Sequence, residues 1–78
     1  MAKLELYGTA RCPHTGEMRE WLELKRWEFV EYDVEADPDA RRRMRQLCGG
    51  QRSVPILVED GKVRQIGWQG RSCMVDLE

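Results

Sequence analysis

Leu4 and Leu6 alternate with Lys3, Glu5 and Tyr7, the two-residue period of a β-strand. Gly8 to Arg11 then reads as a loop, and Pro13 suits the first turn of a helix, where its missing N–H would have no partner anyway. Met18, Trp21, Leu22 and Lys25 follow at spacings of three and four, which predicts an amphipathic helix of about three turns. Glu28 to Val34 is rich in β-branched and aromatic residues and predicts a second strand. Asp37-Pro38 starts a second helix, with an acid at the N-cap and proline behind it. Ala40, Met44, Leu47 and Cys48 line one face of that helix. Asp37 and Asp39 sit at its positive end and Arg41 to Arg45 toward its negative end, as the macrodipole favours. Gly49-Gly50 ends it. Val54 to Val58 predicts a third strand, Asp60-Gly61 a two-residue turn, and Val63 to Ile66 a fourth strand. The tail from Gly67 has room for a short turn or one short helix.

The order is therefore β-α-β-α-β-β, an α/β fold. The helical crossover makes the first two strands parallel, and the tight turn makes the last two antiparallel. A four-stranded mixed sheet with helices packed on it is expected. Residues 1–78 should form one domain, small enough that its core must be packed economically.

Composition narrows the function classes. A hydrophobic fraction of 41% beside 35% charged residues is that of a globular chain. Thirteen basic and 14 acidic residues leave a net charge of −1, which offers no general attraction to nucleic acid or to a membrane surface. No apolar run approaches the roughly 20 residues that cross a bilayer, and the N-terminus opens on a strand pattern without the apolar core of a signal peptide. A cytoplasmic protein is expected. The three cysteines, Cys12, Cys48 and Cys73, are an odd number, which in a reducing compartment argues against a structural disulfide framework. Chemistry, metal binding and core filling are their remaining uses.

The stretch GTARCPHTG (Gly8–Gly16) favours chemistry for Cys12. The thiolate is the nucleophilic form, and a helix N-terminus favours the anion through its unpaired N–H groups and dipole. Arg11, and His14 when charged, would add to that field. A small buried residue near a turn is the bland alternative, and a loop position directly before Pro13 fits it poorly. One His beside one Cys has no metal-ligand spacing, so no metal is expected; His14 reads as a surface or substrate-facing ring. Thr15 stands where a C-x-x-C motif would carry its second sulfur.

Cys12-Pro13-His14-Thr15 after a first strand, Ser53-Val54-Pro55 opening a third and Gly67 after a fourth resemble the glutaredoxins over nearly the whole chain. The resemblance implies a thioredoxin-like fold with a cis peptide before Pro55, beside Cys12. It implies that the Val54 backbone pairs with the cysteine of a bound glutathione as a short added strand would, and that Arg52 meets a glutathione carboxylate. Arg11, His14, Thr15, Ser53, Gly67 and Trp68, the last on a loop beside the site, are further candidate substrate contacts. Two departures bear on glutathione: Thr9 replaces the family's usual lysine, and Gly67 to Cys73 lacks its glycine pair and acidic pair. Trp68-x-Gly70 resembles instead the Trp-Ser-Gly segment of redoxins that serve ribonucleotide reductase and are recycled by thioredoxin reductase. The chain is similar, too, to the Uxx-star group of glutaredoxin-like proteins.

The expected hairpin returns the fourth strand to the sheet edge where Cys12 lies, so Cys73, seven residues past Ile66, can reach Cys12. Cys48 reads as core, the Arg41–Arg45 run as a solvated helix face, and Trp21 and Trp27 as packing residues. The leading reading is a small thiol–disulfide oxidoreductase with Cys12 as nucleophile, Pro13 shaping the motif and Cys73 as candidate resolving thiol. It needs no bound cofactor, with glutathione as a possible cosubstrate. Expected partners are glutathione or a thioredoxin-reductase-type reductant and disulfide-bearing proteins, acting on a monomer. The alternatives are an iron–sulfur carrier, in which two Cys12 thiolates and two glutathiones hold a cluster between protomers, and a redox-inert binding module of the same fold.

Overall fold

A computed structural model describes residues 3–50 and 52–75. The elements are β1 (Leu4–Gly8), α1 (Pro13–Leu24), β2 (Phe29–Asp33), α2 (Pro38–Cys48), β3 (Ser53–Val54), β4 (Ile56–Glu59), β5 (Lys62–Ile66) and β6 (Cys73–Met74). A four-stranded sheet runs in the order β2-β1-β4-β5, and a second, two-stranded sheet pairs β3 with β6. β1 is parallel to β2 and antiparallel to β4, which is antiparallel to β5. The mixed sheet expected from the pattern is present.

Alternation along β1 sends its residues to two cores. Leu4 and Leu6 pack with Leu57 of β4 and with Met18 and Leu22 of α1. Tyr7 faces the other way, into a cluster with Val34, Ile56 and Val58 and with Ala40 and Met44 of α2. The helices therefore cover opposite faces of the sheet, and both flanks of the central strand are buried. Lys25 is not on the buried stripe of α1; it is the C-cap. Asp37 caps α2 as expected, its carboxylate accepting from the Asp39 and Ala40 N–H groups at 3.0 and 3.2 Å. Gly49, at φ 62°, ends α2 in the left-handed conformation.

One expectation is corrected and one is refined. Val54–Val58 is not one strand. The Val54–Pro55 peptide is cis, and Pro55 has no N–H for a ladder, so the segment divides into β3 and β4, which pair with different neighbours. The tail takes the short turn expected of it rather than the helix, and adds a strand that was not expected. Gly67 (φ 84°) turns the chain out of β5, and Trp68 and Arg71 close a tight turn by mutual backbone hydrogen bonds of 2.7 and 2.9 Å. Gln69 and Gly70, both at positive φ, form the tip of that turn, and β6 follows it. Positions 76–78 of the tail lie outside the described residues.

Gly67 has a specific need for glycine. It is buried, its N–H donates to the Pro55 carbonyl at 2.7 Å, and a Cβ there would lie 2.8 Å from the Arg71 carbonyl oxygen.

Candidate active site

Cys12 occupies the N-cap of α1 with extended backbone (φ −88°, ψ 115°), and no side chain caps the helix. The position follows from the sequence: Pro13 presets the first helical residue and leaves Cys12 as the last extended one. The cysteine is buried in the α2-side core. Its sulfur lies 3.9 Å from the carbonyl oxygen of Val54. The end of β1 and the start of β4 meet at one sheet edge, because Tyr7 pairs with Ile56, and this sets cis-Pro55 beside the cysteine loop.

Cys73 forms a disulfide with Cys12, with a Cα–Cα separation of 6.0 Å. Antiparallel pairing brings it there: Val54 is opposite Cys73 and Ser53 is opposite Met74. The ladder continues as Val75 N–H donates to the Arg52 carbonyl at 2.9 Å. The Ser53 hydroxyl points to the Met74 sulfur at 3.8 Å. A cleft of about 270 Å³ lies beside the disulfide, lined by both cysteines, Thr9, Val75, Arg11 and Glu35.

The remaining candidates divide. Arg52, Ser53, Val54, Pro55 and Gly67 gather around the β3–β6 edge, although Arg52 contributes its backbone there while its side chain is exposed. Arg11 borders the cleft, but its guanidinium is engaged by the Glu35 carboxylate, which holds it charged above its ordinary range. Its field on the sulfur is thus offset by a neighbouring anion. His14 turns Nδ1 to the Glu17 carboxylate at 2.8 Å. Thr15 is fully buried, with its hydroxyl 3.5 Å from the Thr9 N–H, and a Cβ on Gly8 would run into it. It supports the loop from inside and offers no surface to a ligand. Trp68 packs on Trp21 of the α1 face, ring centroids 5.6 Å apart, whereas the disulfide belongs to the α2-side core. Pro13 is exposed at the head of α1.

Glu35, Thr9 and Val75 were not among the candidates. Val75 had a signal: Cys73 and Val75 are two apart, as inward positions of a strand are, but a run of three residues is too short to announce one.

The Glutaredoxin family model matches residues 4–64. The chain belongs to the glutaredoxin family. It is 37% identical over 60 residues to a probable glutaredoxin of Synechocystis sp., covering 76% of this chain and 68% of that one. It is 33% identical over 60 residues to an uncharacterized glutaredoxin-like protein in a rubredoxin operon of Clostridium pasteurianum, covering 77% and 79%. Among solved structures it resembles a mutant of a thioredoxin-like protein at a TM-score of 0.75 and 33% identity, over 88% of this chain and 86% of that one. Glutaredoxin 1 from Francisella tularensis, complexed with cacodylate, shares the fold at a TM-score of 0.60 and 21% identity, over 87% and 85%. The fold is thioredoxin-like and the family function is thiol redox chemistry. Among the described residues no helix is long and apolar enough to cross a membrane.

Proposed function

We propose that the protein is a two-cysteine thiol–disulfide oxidoreductase acting on protein disulfides or glutathione mixed disulfides. The Cys12 thiolate attacks one sulfur of a substrate disulfide. A Cys12–substrate disulfide forms, and the other substrate sulfur leaves as a thiolate that takes a proton. The Cys73 thiolate then attacks the Cys12 sulfur, forms the Cys12–Cys73 disulfide and releases the second substrate thiol. The substrate gains two electrons and two protons, and the protein dithiol loses them. An external thiol reductant, glutathione or a thioredoxin-reductase-type enzyme, restores the dithiol.

The observation that carries this reading is the β6 pairing that sets Cys73 opposite Val54 and in disulfide contact with Cys12, at the N-cap of α1. It supports a second sulfur for a motif that carries Thr15 where its second cysteine would stand. The test is turnover of a small disulfide with glutathione and glutathione reductase, run beside thioredoxin reductase, together with peptide mapping after mild oxidation. The expected result is a Cys12–Cys73 peptide pair, and a Cys73→Ser variant that accumulates a Cys12 mixed disulfide. Unchanged turnover without Cys73, with no such pair on oxidation, would leave a one-thiol enzyme resolved by glutathione or a partner.

A further inference from the structure

The tail does more than deliver a sulfur. Cys73, Met74 and Val75 lie on β3 as an added strand, with Val54 opposite Cys73, Ser53 opposite Met74 and the Arg52 carbonyl accepting from Val75 N–H at 2.9 Å. Backbone pairing of this kind is indifferent to side chains and would accept any extended segment, with selectivity left to the alternate positions that face inward. In the tail those positions are Cys73, at the disulfide, and Val75, just past β6, which is 7% exposed and joins the core cluster containing Cys12, Val34 and Val54. Met74, between them, is 73% exposed. Cleft space continues past Val75 toward Thr9 and the Arg11–Glu35 pair.

Resting on the reading of Cys12 as nucleophile and Cys73 as resolving thiol, we propose that the Val75 slot is a specificity pocket for protein substrates. It takes an extended segment whose reactive cysteine is followed, two positions later, by a small aliphatic residue. The tail and the substrate exclude each other, because both would pair with the same edge of Val54, where Cys73 now lies. In the reduced protein the tail is held by a two-residue ladder and one buried side chain, without the covalent bond, so a matching segment can replace it. Cys12 then attacks the segment's cysteine sulfur, the Cys12–segment disulfide forms, and the former partner sulfur leaves as a thiolate. When Cys73 attacks Cys12, β6 returns to the same edge. The segment's thiolate leaves the sulfur and its strand leaves the edge in one event, so resolution is also ejection.

The experiment uses the full chain carrying Cys73→Ser, so that mixed disulfides persist. The probes are five-residue peptides, acetylated and amidated, whose cysteine is joined by a disulfide to thionitrobenzoate. Attack on the peptide sulfur releases the coloured thiolate and leaves the peptide on Cys12. The panel is Arg-Ser-Cys-Met-Val, the same peptide with aspartate in place of valine, and Arg-Ser-Cys-Val-Met. Burying one aliphatic side chain predicts a release rate about tenfold or more higher for the first peptide than for the second. The third should fall below the first, since its valine sits at the outward position. Adding Val75→Asp to the protein, which loosens the resident tail, should raise the rate for the first peptide several-fold; the peptide panel on Cys73→Ser stands whether or not that second variant folds. Equal rates across the panel, with Cys12 labelled in every case, overturn the pocket and leave the redox reading intact. Failure of Cys12 to react even with the free small-molecule disulfide of thionitrobenzoate overturns both.

Discussion

Cys12 and Cys48 lie at opposite ends of helices and touch the same core. Cys12 is the N-cap of α1, and Cys48 is the last residue of α2. Both pack against the cluster that contains Val34, Ala40 and Met44. Apolar neighbours are therefore not what separates a reactive thiol from an inert one. The helix end does. At Cys12 the helix presents uncapped N–H groups, which favour a thiolate. At Cys48 the helix ends in carbonyl oxygens, which lend a thiolate no such support, and burial pushes that thiol up from its ordinary value. A second difference is a partner: Cys12 has Cys73, and Cys48 is free.

The sharpest way to break this contrast is to remove each sulfur in turn. Cys12→Ser should lower disulfide turnover by about a thousandfold or more, as loss of a nucleophile does. Cys48→Ala should leave it within about twofold, the usual size of a change away from the reacting groups. Equal losses in a coupled assay would mean that the helix-end argument is wrong. Covalent linkage is the next largest effect. The Cys12–Cys73 bond joins residues 61 apart, and chain entropy predicts that oxidation stabilises the fold by up to about 4 kcal/mol. Urea unfolding of oxidised and reduced protein should show the gap, and Cys73→Ser should abolish it.

The two thiols should also separate by pH. Burial keeps Cys48 neutral in the folded chain while the same thiol in the unfolded chain ionises at its ordinary value. Its contribution is therefore complete below that ordinary value and is lost as pH rises through the raised folded one. Reduced wild type should lose urea resistance on the alkaline side more steeply than Cys48→Ala. Over the same range, alkylation of reduced protein should label Cys12 first, with a midpoint below the roughly 8.5 of a free thiol.

Two further changes act on the Cys12 end only. Gly8→Ala would press a methyl group into the buried Thr15 side chain beneath the cysteine loop. Overpacking of this kind costs about 1–3 kcal/mol and should shift the thermal midpoint down. The smallest effect belongs to Glu35→Gln. It releases the Arg11 charge from its partner, and Cys12 alkylation should quicken by about twofold, less at high salt, because the pair is exposed. Stopped-flow alkylation at two ionic strengths would resolve it.

Much of this was legible in the chain. Period and punctuation placed β1, both helices and the Asp60-Gly61 turn, because each depends on neighbours a few residues away. Cys12 was legible for the same reason, since Pro13 fixes where the helix starts. The cis bond at Pro55 came from likeness to glutaredoxins rather than from local propensity. What the pattern could not show were partners set by long-range geometry. Glu35 meets Arg11 across 24 positions, and Thr15 sits under Gly8 through a loop whose path no periodicity records. β6 was missed because a two-residue strand is defined by what it pairs with, and Val54 lies 19 positions away from Cys73. Trp68 was placed by the loop it sits on, whereas its ring is held by Trp21 on the opposite face of the sheet.

The division of labour along the chain has a consequence for how such a protein can change. The four-stranded sheet is complete at Ile66, and the nine positions from Gly67 to Val75 carry the second sulfur back to the β3 edge. On the proposed function, the fate of a mixed disulfide is therefore written in a short segment added after the four-stranded sheet. A one-thiol relative with the same cis-proline edge could acquire the two-thiol habit by grafting that segment, and this chain could relinquish it by losing a single sulfur, without either of them rearranging the four-stranded sheet.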